Sequence, residues 1–264
     1  MSSANEVWAS GDAYEPYVGR WSRLVAGAFL AWLGVPPGRR WLDVGCGTGA
    51  LTQAILREAQ PQVVTGIDPS AGYVAHARDH TPDPRATFLV GDAEALPDPD
   101  GVYDVAVSGL VLNFVPHPAR MLAAQARVTR SGGTVAAYVW DYAGQMQLMR
   151  HFWEAAVALD PAARELDEGR RFPLCRPGPL SGLFEEAGLG RVETRAIDVP
   201  THFRDFDDYW RPFLGGQGPA PGYAMALDEE RRAALREHLR ARLPIEADGA
   251  IRLMARAWAV RGIR

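Results

Sequence analysis

The run Trp41-Leu42-Asp43-Val44-Gly45-Cys46-Gly47-Thr48-Gly49-Ala50 and two later aspartates, Asp68 and Asp92, have the types and spacing to do chemistry. Glycines at a strand-to-helix turn let the backbone come close to a ligand, with the N–H groups of the helix start aimed at it. Taken alone the run also satisfies the loose G-x-G-x-x-(G/A) dinucleotide fingerprint, or is simply a tight turn. The acids narrow it. Asp43, two residues before the first glycine, can accept a hydrogen bond from an ammonium group. Asp68, 19 residues after Gly49, stands where a carboxylate can bridge two ribose hydroxyls. Asp92, in Leu89-Val90-Gly91-Asp92-Ala93-Glu94-Ala95-Leu96-Pro97, can accept from the exocyclic amine of an adenine. Three carboxylates at the carboxyl ends of three neighbouring strands point to a ligand crevice there.

The elements that must position these residues follow from apolar periodicity. From Trp41 short apolar runs alternate with longer amphipathic ones, the pattern of a parallel sheet with crossover helices. It predicts strands at residues 40–44, 63–67, 87–90, 103–108 and 134–140. Helices are expected at 51–59, through 73–78 with Ser70 as N-cap, and at 118–129, with Ser131-Gly132-Gly133 as a turn. Beyond Trp140 a helix is expected at 144–159, a charged, loop-rich stretch at 161–179 and a helix at 180–187 closed by Gly188. A strand at 191–199, an Arg-rich helix at 228–243 and a last strand at 250–260 bring the strands to seven.

Composition excludes several classes. The net charge of −4 offers no global positive field for nucleic acid. All 28 basic residues are Arg, so no mechanism here can use a lysine. Cys46 and Cys175 lie far apart and outside any CxxC pair, which argues for a reducing compartment and against a disulfide framework or a metal site. Residues 1–14 are polar and no apolar run approaches the ~18 residues of a membrane span. A cytoplasmic protein without membrane or nucleic-acid partners is expected, as a monomer or homodimer.

The order D-x-G-x-G-x-G, then G-I-D-P-S, then G-D-A-x-x-L-P, over residues 40–139, resembles the class I S-adenosylmethionine (SAM)-dependent methyltransferases, in their ubiquinone/menaquinone-biosynthesis-like, small-molecule branch. The resemblance implies a doubly wound α/β sheet of seven strands in the order 3-2-1-4-5-7-6, with strand 7 antiparallel. It also implies one domain over 1–264, with a cap at 14–33, a SAM-binding core at 40–140 and an acceptor-side lid plus the last two strands at 141–264. Gly45, Cys46, Gly47 and Gly49 would border the methionine part of SAM, with Asp43 near its amino group. Asp68 would hold the ribose, Pro69 and Tyr73 would flank the adenine, and Asp92 with the Ala93 amide would read its edge. Ser108 and Leu110 would line the far side of the methionine moiety. Tyr14 and Arg20 would close over the cofactor, the Arg20 guanidinium pairing with the SAM carboxylate. S-adenosylhomocysteine would be the product.

Methyl transfer from a sulfonium is an in-line displacement, which positioning and desolvation can accelerate without a dedicated base. Ser108-Gly109-Leu110-Val111 lacks the (D/N/S)-P-P-(Y/F) of amino-methylating enzymes, so a small apolar or aromatic acceptor is expected. The aromatics after strand five (Trp140, Tyr142, Phe152, Trp153, Phe172, Phe203, Phe206, Tyr209, Trp210, Phe213 and Tyr223) are expected to pack the lid onto the sheet, to line an apolar or aromatic acceptor pocket, or to do both. Asp141, at the end of strand five, and His151 are the candidates for a base or acceptor anchor; His117 reads as a surface turn, and His202 has little to recommend it. Two rivals stand beside this reading. One is an NAD-dependent oxidoreductase, against which Asp43 and Gly91-Asp92 speak. The other is a non-catalytic SAM-binding partner or sensor.

Overall fold

Seven strands form one sheet in the computed structural model, which describes residues 19–215 and 218–264. They are β1 (Arg40–Val44), β2 (Val63–Asp68), β3 (Ala86–Val90), β4 (Tyr103–Gly109), β5 (Thr129–Trp140), β6 (Gly190–Phe203) and β7 (Ile251–Ile263). The sheet order is β3-β2-β1-β4-β5-β7-β6. β1 pairs in parallel with β2 and β4, β2 with β3, and β4 with β5. β7 runs antiparallel to β5, from Thr134↔Ile263 to Trp140↔Ala257. Asp43 lies level with Gly66 and Val107, and Asp68 with Val90. Parallel strands all point their carboxyl ends the same way, so Asp43, Asp68 and Ser108 gather at one edge of the sheet.

The chain divides into two compact units. One comprises Ser22–Trp140, Leu174–Ile197 and Ala257–Arg264. Its helices include most of α1 (Arg20–Leu33), α2 (Ala50–Ala54, continued as a π turn over Ile55–Ala59), α3 (Ala71–His80), α4 (Pro118–Val128) and α7 (Pro177–Glu186). Ser70 caps α3 by accepting from Tyr73 N at 3.3 Å. On α1, Phe29 packs against Tyr138 with ring centroids 4.8 Å apart. Arg261 lies over the Trp32 ring and donates to the carbonyls of Trp32 and Leu33, satisfying the orphan acceptors at that helix end.

The other unit contains Asp141–Pro173 and Asp198–Arg256, with Arg20 and Trp21. It holds α5 (Gln147–Leu159), α6 (Glu168–Arg171), α8 (Phe206–Trp210), α9 (Pro219–Ala226) and α10 (Glu229–Arg242), the last capped by Asp228. Its core is aromatic. Phe152 stacks on Phe213 at 4.4 Å and meets Trp153 edge-on, Trp153 packs against Tyr223, and the Tyr209 hydroxyl donates to Leu148 O at 2.9 Å. Phe152, Trp153, Phe203, Tyr209 and Phe213 are fully buried and form the centre of this unit.

Three local expectations need correction. Ser131-Gly132-Gly133 does not end a helix loop; it is an irregularity inside β5, where the register with β4 jumps from Tyr103↔Thr129 to Val105↔Thr134. The stretch 161–179 is not mainly loop: it folds as a 3-10 turn over Pro161–Leu166, then α6, then the first turn of α7. The helix at 144–159 begins only at Gln147, because Asp141 holds a turn whose Gln145 N donates to its carboxylate at 2.9 Å. As a test of the aromatic core, Phe152→Ala should cost about 3–5 kcal/mol of unfolding free energy in denaturant titration. A loss below about 1 kcal/mol would show that the Phe152–Phe213 stack is not a core contact.

Candidate functional site

The glycine turn is folded by its own backbone. Gly45 N and Cys46 N both donate to Ile67 O, at 2.7 and 3.1 Å, drawing the turn across the end of β2. Gly45 has φ +75°, and a Cβ there would lie 2.5 Å from Val111 Cγ2, so no other residue fits. Gly47 (φ +53°) gives its N–H to Asp68 Oδ2 at 2.9 Å, while the space a Cβ would take is open. The Cys46 side chain turns inward against Val74, Ala77 and Phe88, so only its backbone belongs to the turn. Burial, and then the Asp43 and Asp68 carboxylates, push its thiol up. Gly49 is the N-cap of α2.

Asp43 is fully buried. Its Oδ2 accepts from Thr52 Oγ1 at 2.7 Å, and its Oδ1 has no partner among the described residues. Desolvation, only partly offset by that hydrogen bond, pushes its carboxyl up to about 7. Asp68 is buried too, but its two oxygens accept from Gly47 N and Ser70 N, both at 2.9 Å. Burial still raises it. Tyr73 on α3 keeps its hydroxyl oxygen buried and unpartnered among the described residues, and burial and the Asp68 charge raise it. Ser108 Oγ is likewise buried and unpartnered. Leu110 holds φ +62°, uncommon for a side chain of this kind, and is fixed there by donating to Tyr138 O at 2.8 Å. Asp92 and Pro69 are exposed and Ala93 is buried; Asp92 Oδ1 accepts from Glu94 N at 2.9 Å. The structure thus brings Asp43, the glycine turn, Asp68, Tyr73 and Ser108 to the carboxyl ends of β1, β2 and β4. It adds Asn113, which sequence reading missed: both of its amide atoms are buried without a partner among the described residues. Nothing in the local pattern marks it, because only the folded loop after β4 buries the amide.

Of the remaining expected residues, Arg20, Asp141 and His151 belong to the other unit. Tyr14 falls outside the described residues. Arg20 lies over the rings of Trp21 and Phe203, at 4.3 and 4.8 Å, and its Nη1 meets Asp208 at 3.3 Å. Its Nε and Nη2 are buried and unpartnered among the described residues. Asp141 is buried and holds the turn described above. His151, half-buried on α5, is lowered by desolvation and is therefore neutral around neutral pH. His117 is exposed and faces Glu94, and His202 is exposed.

Known proteins share this architecture. Residues 42–137 match the family model described as a methyltransferase domain. The chain is 33% identical over 198 residues to the 2-methyl-6-phytyl-1,4-hydroquinone methyltransferase of Synechocystis sp., covering 72% of this chain and 60% of that protein. It is 31% identical over 174 residues to the ubiquinone/menaquinone biosynthesis C-methyltransferase of Methylobacterium nodulans, covering 60% of this chain and 68% of the relative. The chain belongs to the class I SAM-dependent methyltransferases. It spans 60% of the Synechocystis relative's length. In fold, the chain is similar to Haemonchus contortus phosphoethanolamine N-methyltransferase 2, solved with phosphomonomethylethanolamine and S-adenosylhomocysteine. The TM-score is 0.62 at 17% identity, covering 99% of this chain and 59% of that one. Family membership sets aside the oxidoreductase reading of the glycine turn. Among the described residues of this methyltransferase no helix is long and apolar enough to cross a membrane.

Two buried acids predict a pH dependence. Burial also pushes Glu168 up to about 7, and its carboxyl accepts from Trp153 Nε1. Between about pH 4 and 7 the folded chain therefore keeps protons on Asp43 and Glu168 that the unfolded chain has released. Stability should fall as pH rises through that window. The doubly substituted Asp43→Asn, Glu168→Gln protein should lose less melting temperature than wild type from pH 5 to pH 8. Equal losses would mean neither carboxyl is protonated in the folded state.

Proposed function

We propose that this chain transfers the methyl group of SAM to a small, electron-rich aromatic acceptor of the quinol class. The observation that carries the cofactor assignment is the set of buried polar atoms without partners among the described residues, Asp43 Oδ1, Tyr73 Oη and Ser108 Oγ, around an open glycine turn. Buried polar groups are normally satisfied, so their clustering at the carboxyl ends of β1, β2 and β4 is what a polar ligand would satisfy. The fit is chemical as well. Asp43 Oδ1 suits an ammonium group, the spare lone pairs of Asp68 suit ribose hydroxyls, and Tyr73 with Pro69 offers flat and apolar surface to an adenine. The Asp92 turn and the Ala93 amide, just past β3, suit the adenine edge. Bound SAM supplies an electrophilic methyl group on a sulfonium. The protein's work is to hold and orient, and to keep water from the reacting centre.

The acceptor class rests on what the two relatives are named for, hydroquinone and ubiquinone/menaquinone methylation. The buried Nε and Nη2 of Arg20, unpartnered among the described residues, suit a carboxylate. Neutral His151 is able to take a proton from an acceptor hydroxyl, and Asp141 to anchor one. We place the protein in the cytoplasm, as a monomer or homodimer of one methyltransferase domain, acting on a free small molecule.

Calorimetric titration with SAM, S-adenosylhomocysteine and NAD tests this directly. Micromolar-range binding of the first two and none of NAD is expected; binding of NAD alone would overturn it. Asp68→Ala and Gly47→Val should each weaken S-adenosylhomocysteine binding by at least ~100-fold, since each removes a hydrogen-bonded contact or fills the open turn. Wild-type affinity in either would misplace the site. Because Asp43 must be ionised to accept an ammonium, affinity should rise with pH up to about 7 and level off, a dependence that Asp43→Asn should lose. Asp141→Asn should lower turnover more than cofactor affinity, once an acceptor is in hand.

A further inference from the structure

A closed circuit of contacts runs round the proposed cofactor crevice within one unit. On one side, Gly47 N and Gly91 N both bond Asp68, through its carboxylate at 2.9 Å and its carbonyl at 3.1 Å. This fixes the glycine turn and the start of the loop 91–97 to the end of β2. On the other side, Val111 seats against Gly45, with no room for a Cβ between them. The loop 110–117 is thereby laid on the glycine turn, and Leu110 N ties its first residue to Tyr138 O. One junction remains, between the loop 91–97 and the loop 110–117. Glu94 Oε1 accepts from His117 N at 3.0 Å, and the same carboxylate meets His117 Nδ1 at 2.9 Å from Oε2 and 3.1 Å from Oε1. Arg120 Nη1 stands 3.9 Å from Oε2. His117 is the residue before α4, yet its side chain makes no capping bond to that helix; it is turned to Glu94.

We propose that Glu94 and His117 form a strap that sets the spacing between the adenine-side loop and the methionine-side loop, making Glu94 a positioning residue for cofactor binding. The proposal rests on the cofactor assignment above. It is separable from folding because both loops have other anchors. Arg127 holds the far end of the first through Leu96 O at 2.7 Å and Asp98 O at 2.8 Å. The buried face of α4 (Met121, Leu122, Gln125 and Val128) holds the end of the second. Without the strap, the fold keeps its core but the loops sample spacings that do not match a ligand of fixed length. Only the competent fraction then binds, and the apparent affinity drops by that fraction.

The test is calorimetric titration of the full chain with S-adenosylhomocysteine, with thermal melts alongside. Glu94→Ala, which removes the strap, and His117→Asp, which faces one carboxylate with another, should each raise the dissociation constant ~5–20-fold with little change in melting temperature. Glu94→Gln should recover most of the affinity, since its amide oxygen still accepts from His117 N. The Glu94→Ala, His117→Asp double variant should bind no worse than the weaker single one, because the two changes break one device. Wild-type affinity in Glu94→Ala, no rescue in Glu94→Gln, or additive losses in the double variant would overturn the strap. If Glu94→Ala does not fold, His117→Asp against Glu94→Gln decides the matter. Failure of the wild-type chain to bind S-adenosylhomocysteine would instead remove the cofactor assignment, and the strap with it.

Discussion

One buried carboxylate joins the two turns on which the site depends. Asp68 ends β2, and its side chain takes one N–H from the glycine turn after β1 and another from the turn that starts α3. Burying a charge is costly unless donors replace water, and two backbone N–H groups at 2.9 Å are a minimal replacement. The same residue gives its carbonyl to Gly91 N, at the start of the loop after β3. Three consecutive strand-to-loop exits are therefore pinned to a single residue. A ligand that bonds Asp68 meets a surface already shaped, so little of its binding energy goes into ordering loops.

Much of this was legible in the chain, for a physical reason. β1, β2, β3 and β4 lie within a residue or so of their expected limits, because each is an apolar run bounded by glycine, proline or aspartate. The N-caps Ser70 and Asp228 are equally local signals. Reading failed where partners distant in sequence decide. Ser131-Gly132-Gly133 has the composition of a turn, yet the flanking pairs of Thr129 and Thr134 with β4 keep it inside β5 as an irregularity. The stretch 161–179 looked like loop because its helices are short and rely on neighbours; Asp167, for example, is held by Arg150 at 2.7 Å. In the site, the acids announced themselves by spacing. Asn113 and the Glu94–His117 pair did not, since burial of the one and the meeting of the other exist only after β1 to β4 have assembled into one sheet.

The two acids nearest the glycine turn are treated differently, and the difference bears on what the site can bind. Asp68 has two N–H donors and Asp43 has one hydroxyl, with its second oxygen left bare. Asp43 is thus pushed to about 7 and can be neutral in the free protein near that pH. A neutral acid is far cheaper to bury than an unpaired carboxylate, so the fold tolerates Asp43 until a cation arrives. An ammonium ligand reverses that balance: it stabilises the ionised form and replaces the missing donor in one contact. A neutral or anionic ligand of the same shape would leave the penalty in place. In the proposed cofactor assignment, discrimination in favour of a cationic head group comes from leaving Asp43 under-satisfied beside a well-satisfied Asp68. Nothing in the glycine turn itself, which offers only N–H donors and open space, would supply that preference.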